Sequence, residues 1–207
     1  AHAVDREYRI TKVLHEAGLP VAEPLLLCED EDVIGSIFYV MRYVPGRSFW
    51  DPRMPGLDRA QRAAIYDSAN ETLARLHLVD FAALGLADYG RPGNYFARQI
   101  SRWSRQYEAS RTRDIPEMDR LLAWLPDAIP DTDERTTIIH GDYSFHNLLV
   151  HPTEPRVLAV IDWELSTLGD PLGDLTYHMM EWFRPEGVDG RGTLQGADLA
   201  ALGIPSA

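Results

Sequence analysis

The stretch from His140 to Asp174 restricts what this chain can fold into more than any other. It reads HGDYSFHNLLV, a short turn, then AVIDWELSTLGDPLGD. Asp142 and Asn147 lie five residues apart, directly after the apolar pair Ile138 and Ile139. Asp162 follows a second apolar run, Val157 to Ile161. Two such runs across a turn predict a β-hairpin from Thr137 to Asp162, with an oxygen-rich cluster at its end. Phosphoryl transfer from a nucleotide needs such a cluster. One carboxylate orients the attacking hydroxyl, while an amide oxygen and a second carboxylate hold Mg²⁺.

Each residue also has an ordinary reading. Asp142, the candidate base, could be a turn aspartate bonded to its own backbone. Asn147 could be a plain strand-entry asparagine. Their order on one hairpin favours phosphotransfer. Glu164 reads equally as a further metal contact or as a surface turn residue. Asp170, just before Pro171, is placed to cap the helix that follows. Asp174, one turn inside, can brace the loop through backbone N–H groups. His140 and His146 with Asp142 could suggest a transition-metal site, but Asn and Asp suit a hard cation better. His140 reads as a buried loop anchor, and His77, in LARLHLVD, as a satisfied core histidine.

Composition narrows the function classes. The 207 residues suffice for one sizeable domain, and 45% hydrophobic with 25% charged residues is ordinary for a globular protein. No run approaches the ~18 apolar residues of a membrane span, and the first residues lack the pattern of a signal peptide. One cysteine, Cys28, fits a reducing cytoplasm and excludes an internal disulfide. A net charge of −12 argues against nucleic-acid partners and anionic membranes. Nothing in the sequence specifies an oligomeric state. There are 19 Arg and one Lys, Lys12, so any catalytic lysine in these residues has to be Lys12.

Periodicity sets the elements. Ile10, Val13, Leu14 and Ala17 give a helix over Val4 to Ala17, stopped at Gly18. Pro24 to Glu29 and Ser36 to Val44 read as antiparallel strands around an acidic turn. A Pro/Gly-rich linker follows Pro45. Asp58 and Gln61 form a capping-box pattern for a helix burying Ile65, Ala69, Thr72, Leu73 and Leu76. Phe96, Ile100, Trp103 and Tyr107 mark a second helix, with Trp103 and Tyr107 read as core. Ile115, Met118, Leu122 and Leu125 mark a third, closed by Pro126. A last long helix, opened by Pro171 and ended by Pro185, presents Leu172, Leu175, Met179 and Trp182 on one face. The tail from Glu186 is rich in Gly, Asp and Ala. The fold class is α+β, with helices segregated from little sheet.

HGDYSFHN, IDWE and GDPLGD together resemble the aminoglycoside phosphotransferase and choline kinase superfamily, a branch of the protein-kinase-like fold. There H-G-D replaces the H-R-D loop of protein kinases, and I-D-W/F replaces D-F-G. The resemblance implies a partial N-lobe over 1–44 (helix, two strands, hinge) and a helical C-lobe over 45–207. It makes Glu7, in VDREYRITKVL, the partner of an ATP-binding lysine. It places adenine against backbone groups at Arg42 and Val44, with Met41 at the back of the pocket. It assigns Mg²⁺ to Asn147 and Asp162 and the acceptor hydroxyl to Asp142. PVAEPLLLCEDEDVIGSIFYVMRYVPGR with the two later motifs is most similar to the branch fused to acyl-CoA dehydrogenases, which implies a hydroxyacyl-CoA acceptor.

Family members carry three strands before the Glu7 helix, including the lysine strand. Lys12 sits at i+5 from Glu7, roughly 140° around the helix, and cannot replace that lysine. The expectation is a piece of a longer protein, lacking about 80 residues at the front. The expected activity is an ATP- and Mg²⁺-dependent transfer of phosphate to a small-molecule hydroxyl. The alternatives are a non-catalytic nucleotide-binding or interaction module, and a metal-dependent hydrolase using the same acids.

Overall fold

The computed structural model describes residues 4–130, 135–185 and 192–207. The start of the Gly- and Asp-rich tail, 186–191, lies outside them. Helix α1 (Val4–Glu16) ends where Gly18 turns at φ 78°, a left-handed conformation that glycine adopts without Cβ strain. Ile10 and Leu14 are fully buried on its inner face. Strands β1 (Pro24–Cys28) and β2 (Phe38–Met41) follow as an antiparallel pair, with Leu26 opposite Val40 and Leu27 opposite Tyr39. Both are shorter than the apolar runs suggest, and Leu25, Leu26 and Met41 are nearly half exposed.

Helix α2 (Arg59–His77) has the expected capping box: the Gln61 amide donates to Asp58 at 2.8 Å, and the Asp58 amide to the Gln61 side chain at 3.1 Å. Its buried stripe of Ile65, Tyr66, Ala69, Thr72, Leu73 and Leu76 is the spine of the core. Burying a large aliphatic side chain contributes about 1.5–3 kcal/mol, so this face outweighs the capping term of ~1 kcal/mol. Helices α3 (Tyr95–Ser110) and α4 (Pro116–Trp124) come next, and a 3₁₀ turn over Leu125–Ala128 contains Pro126.

The region from Thr137 to Asp162 is not one hairpin. Strand β3 (Thr137–Ile139) pairs antiparallel with β6 (Thr167–Gly169), a strand with no counterpart among the expected elements. Strand β4 (Leu148–Val150) pairs with β5 (Val157–Val160). Two nested ladders therefore replace the expected single one. The residues between β3 and β4, and between β5 and β6, are drawn together at the same end. The β4–β5 hairpin also bridges to Val21 and to Arg47.

Helix α5 (Leu172–Phe183) corrects a second expectation. Its buried residues are Asp174 and His178, and Leu175 is 37% exposed. Asp174, His178 and Trp182 follow an i, i+4, i+8 line, so the inward stripe is mostly polar and apolar periodicity misplaces it. It faces the polar loop after β3 rather than an aliphatic layer. A short helix α6 (Leu199–Leu202), capped by Asp198, closes over the start of α2.

Candidate active site

The loop after β3 is fixed from below. The Asp174 carboxylate is fully buried and accepts the amides of His140 and Gly141 at 2.7 Å each. It also contacts His77 Nε2 at 3.1 Å, the bond that satisfies His77 and makes it a polar bridge from α2. Gly141 is required twice over: it sits at φ 86°, and a Cβ there would lie 2.7 Å from the Leu165 carbonyl oxygen. Asp170 accepts the Leu172 amide at 2.9 Å and so caps α5 as its position suggests.

His140 is the expected buried anchor. Its Nε2 lies 2.9 Å from the Ile161 carbonyl, and its Nδ1 accepts the Asp142 amide at 3.2 Å. Those two bonds require the neutral tautomer with the proton on Nε2. Burial holds its pKa below the ordinary histidine value, with the charge of Asp174 opposing. The imidazole thereby ties the loop after β3 to the end of β5. Trp163, buried beneath it, donates to the Val160 carbonyl at 3.0 Å and meets the imidazole edge-on at 4.7 Å.

Asp142 and Asn147 are brought together. The Asn147 amide nitrogen donates at 3.0 Å both to Asp142 Oδ2 and to its carbonyl oxygen. Asn147 ends a 3₁₀ turn (Phe145–Asn147) and is 4% exposed, which is tighter than a strand-entry residue requires. Both bonds use its nitrogen, so the amide oxygen is left for another partner. Asp142 Oδ1 is buried with no hydrogen-bond partner. An unpartnered carboxylate oxygen is unfavourable unless something else occupies the site in function.

Asp162 reaches the same end because the Ile161 amide donates to the Asn147 carbonyl at 3.0 Å. Its backbone is left-handed, at φ 67°, an arrangement uncommon outside glycine. Burial, then the negative charges of Glu164 and Asp142, raise its carboxyl pKa, with His140 opposing. Glu164 is exposed. A group of like charges with an unpartnered oxygen suits a hard cation, which would relieve both. Among the described residues no three His, Cys, Asp or Glu side chains form a metal-binding group, either around His140 and His146 or around Asp142 and Asp162. His146 instead stacks on Trp50 at 4.7 Å and bonds Ser144 at 2.8 Å.

The remaining expected residues lie on the other side. Glu7 faces Tyr39: their hydrogen bond and the Glu7 charge, together with burial as the largest cause, push the Tyr39 phenol well up. The Arg42 amide donates to the Glu23 carbonyl at 2.8 Å, and its guanidinium pairs with the Glu23 side chain at 2.5 Å. Any base contact at Arg42 therefore falls to its carbonyl. Met41 ends β2, and Val44 lies in the irregular segment after it.

Asp142 and Gly141 also form part of the wall of a cavity of about 680 Å³, lined mainly by Phe96, Trp103, Leu165, Tyr177, Met180 and Phe183. Trp103 is 47% exposed, so it is a wall of this cavity and not core.

Comparison with known proteins agrees with this geometry. The chain is 51% identical over 189 residues to chicken acyl-CoA dehydrogenase family member 11, a match covering 91% of this chain and 24% of that relative. It thus spans about a quarter of that protein's length. A crystal structure from Ralstonia eutropha JMP134, of a protein provisionally named an aminoglycoside phosphotransferase, superposes with TM-score 0.91 at 55% identity, over 99% of this chain and 62% of that one. A thermostable aminoglycoside phosphotransferase mutant, solved as a ternary complex with ADP and hygromycin B, shares the protein-kinase-like fold at TM-score 0.59 and 18% identity, over 85% of this chain and 61% of that one. The model of the phosphotransferase enzyme family (APH) matches residues 1–205, and the chain belongs to that family.

Proposed function

We propose that this chain carries the acceptor and metal half of an ATP- and Mg²⁺-dependent phosphotransferase that moves the γ-phosphate to a small-molecule hydroxyl. The observation that carries it is the state of Asp142. One carboxylate oxygen is fixed by Asn147, the other is buried and unpartnered, and the residue forms part of the wall of an apolar cavity. A hydroxyl entering that cavity would complete the coordination of Oδ1 and be aligned for attack, its proton passing to the carboxylate.

Asn147 and Asp162 would hold Mg²⁺, whose chemistry is to neutralise charge on the transferring phosphate. The nucleotide would lie between the β1–β2 pair and Asp162, against the carbonyl of Arg42, the amide of Val44 and the side chain of Met41. Residues 1–44 then form one wall of the cleft and residues 45–207 the other, with Glu7 positioned by Tyr39 near the phosphates. ADP in a neighbour of the same fold supports the nucleotide reading. The acyl-CoA dehydrogenase relatives support a hydroxyacyl-CoA as the acceptor.

A nucleotide-consumption screen of the full-length protein against hydroxyacyl-CoAs, aminoglycosides, choline-like alcohols and sugars tests this. ADP formation that needs Mg²⁺ and a hydroxyacyl-CoA is the expected result. Nucleotide binding with no transfer to any acceptor would identify a non-catalytic module instead, and phosphate release without an acceptor would identify a hydrolase.

A further inference from the structure

Helix α3 separates two cavities. One is the apolar cavity beside Asp142. The other, about 900 Å³, is polar and lined by Arg6, Arg91, Arg98, Arg102 and Arg105, with Asp88 and Glu164 as its acids. Five arginines against two acids make this a basic site in a chain of net charge −12. Asp88 is already bound by Arg9 outside the cavity, at 2.6 Å.

Arg98, Arg102 and Arg105 recur at i, i+4 and i+7, which places them on one face of α3. Like charges at this spacing weaken a helix unless something neutralises them. Among the described residues no ion pair uses Arg91, Arg98, Arg102 or Arg105. The turn entering α3 is nonetheless ordered, because Arg98 donates to the Arg91 carbonyl at 2.6 Å. Arg6 secures the floor: it donates to the Tyr89 and Ser166 carbonyls and stacks on the Tyr89 ring at 3.8 Å.

The two cavities share walls, since Gln99, Arg102 and Leu165 line both. A ligand filling them would carry an apolar arm ending at Asp142 and an anionic head among the arginines. Guanidinium groups match phosphate oxygens bidentately, and both volumes fall within the ~300–1,000 Å³ of ligand sites. A polycationic acceptor would meet repulsion at the same place.

We propose that Arg98, Arg102 and Arg105 form a subsite for the phosphate-bearing head group of the acceptor. This rests on the reading of Asp142 as the residue facing the acceptor hydroxyl. The subsite sets specificity: it selects acceptors with an anionic head and holds the apolar arm in register with Asp142.

The test uses the full-length protein saturated with MgADP, so that the nucleotide site is filled, and coenzyme A as a phosphate-bearing probe. Calorimetry should show binding that weakens with added salt, and Arg102→Glu/Arg105→Glu should weaken it at least ~10-fold. The exposed Arg120→Glu on α4, an equal charge change per site, should leave it unaltered. MgADP affinity checks that each variant is folded. Absence of coenzyme A binding, or equal binding by the double variant, overturns the subsite. Arginine-dependent binding supports it even if no hydroxyacyl-CoA is phosphorylated, in which case it is the acceptor reaction that fails. The N-acetylcysteamine thioester of the same hydroxy acid gives a second readout. It lacks phosphates, so its KM should be insensitive to Arg105→Glu alone, a residue that lines only the polar cavity, and an equal rise in KM for both thioesters in that variant argues against a phosphate site.

Discussion

Gly141 donates its amide to the Asp174 carboxylate at 2.7 Å, joining the loop after β3 to a helix 33 residues further along the chain. The same carboxylate holds His140 and meets His77, so a single buried side chain links α2, α5 and the loop. Asp142 follows Gly141 directly, and its amide bonds the His140 ring. Asp174 therefore holds the backbone from which Asp142 projects, while Asn147 fixes the carboxylate itself. This is support of a reactive geometry by residues that do not themselves react.

Asp174→Ala should remove that support at high cost. It leaves two buried amides without an acceptor, and the loss is expected to be roughly 3–5 kcal/mol. Asp174→Asn keeps the volume but offers only one acceptor oxygen, so a smaller loss of about 2 kcal/mol is expected. Urea unfolding of both variants measures the difference. Amide shifts of His140 and Gly141 should move in the asparagine variant, and unchanged shifts would remove Asp174 from this role.

Asp142→Asn should separate stability from activity. The carboxylate carries an unpartnered buried oxygen and lies close enough to Asp162 to raise its pKa. Removing the charge should leave unfolding free energy unchanged or raise it by up to ~1 kcal/mol. Turnover in the full-length protein should fall by roughly 10²–10⁴. The informative comparison is turnover against melting temperature; near-normal turnover would exclude Asp142 as the base.

Much of this was readable in the sequence because local chemistry decides it. The capping box of α2, the stop at Gly18 and the spacing from Asp142 to Asn147 all act within a few residues. What was not readable depends on distant partners. The β3–β6 ladder joins Ile138 to Leu168 in three-residue strands too short to carry a pattern. The buried face of α5 is polar because it meets backbone amides, so hydrophobicity points the wrong way. Trp103 looks like core by type, yet the face of α3 that carries it has a cavity for a neighbour. Glu7 meets Tyr39 across an element boundary, and no spacing rule connects them.

Asp162→Asn should weaken the dependence of nucleotide binding on Mg²⁺. It removes a charge that burial, Glu164 and Asp142 already disfavour, so the variant should be as stable as the parent or more so. Asparagine tolerates the left-handed backbone at this position, whereas Asp162→Ala should lose about 1 kcal/mol to strain. Mg²⁺ titration of nucleotide affinity, with melting curves of both variants, checks the pair. Unaltered Mg²⁺ dependence would remove Asp162 from the metal.

His178 should make the fold sensitive to acid. It lies among the rings of Phe145, Tyr143 and Trp182, at 4.9, 5.5 and 6.0 Å, and its Nδ1 has no partner. Burial lowers its pKa to about 4, against opposing contributions from a Tyr143 backbone bond and the Asp174 charge. Between the ordinary histidine value of about 6.5 and that lowered value, the unfolded chain binds a proton the folded chain refuses. Stability should therefore fall as pH drops through this window, by roughly 3 kcal/mol at its lower end. His140, lowered by the same cause, adds in the same direction. His178→Phe suits the aromatic surroundings but loses the bond to the Tyr143 backbone, so it should be about 1 kcal/mol less stable at neutral pH. Its stability should nevertheless decline less between pH 6.5 and 4, because one proton-linked site is gone. Urea unfolding at half-unit pH steps measures both slopes, and equal slopes would assign the acid sensitivity to other groups.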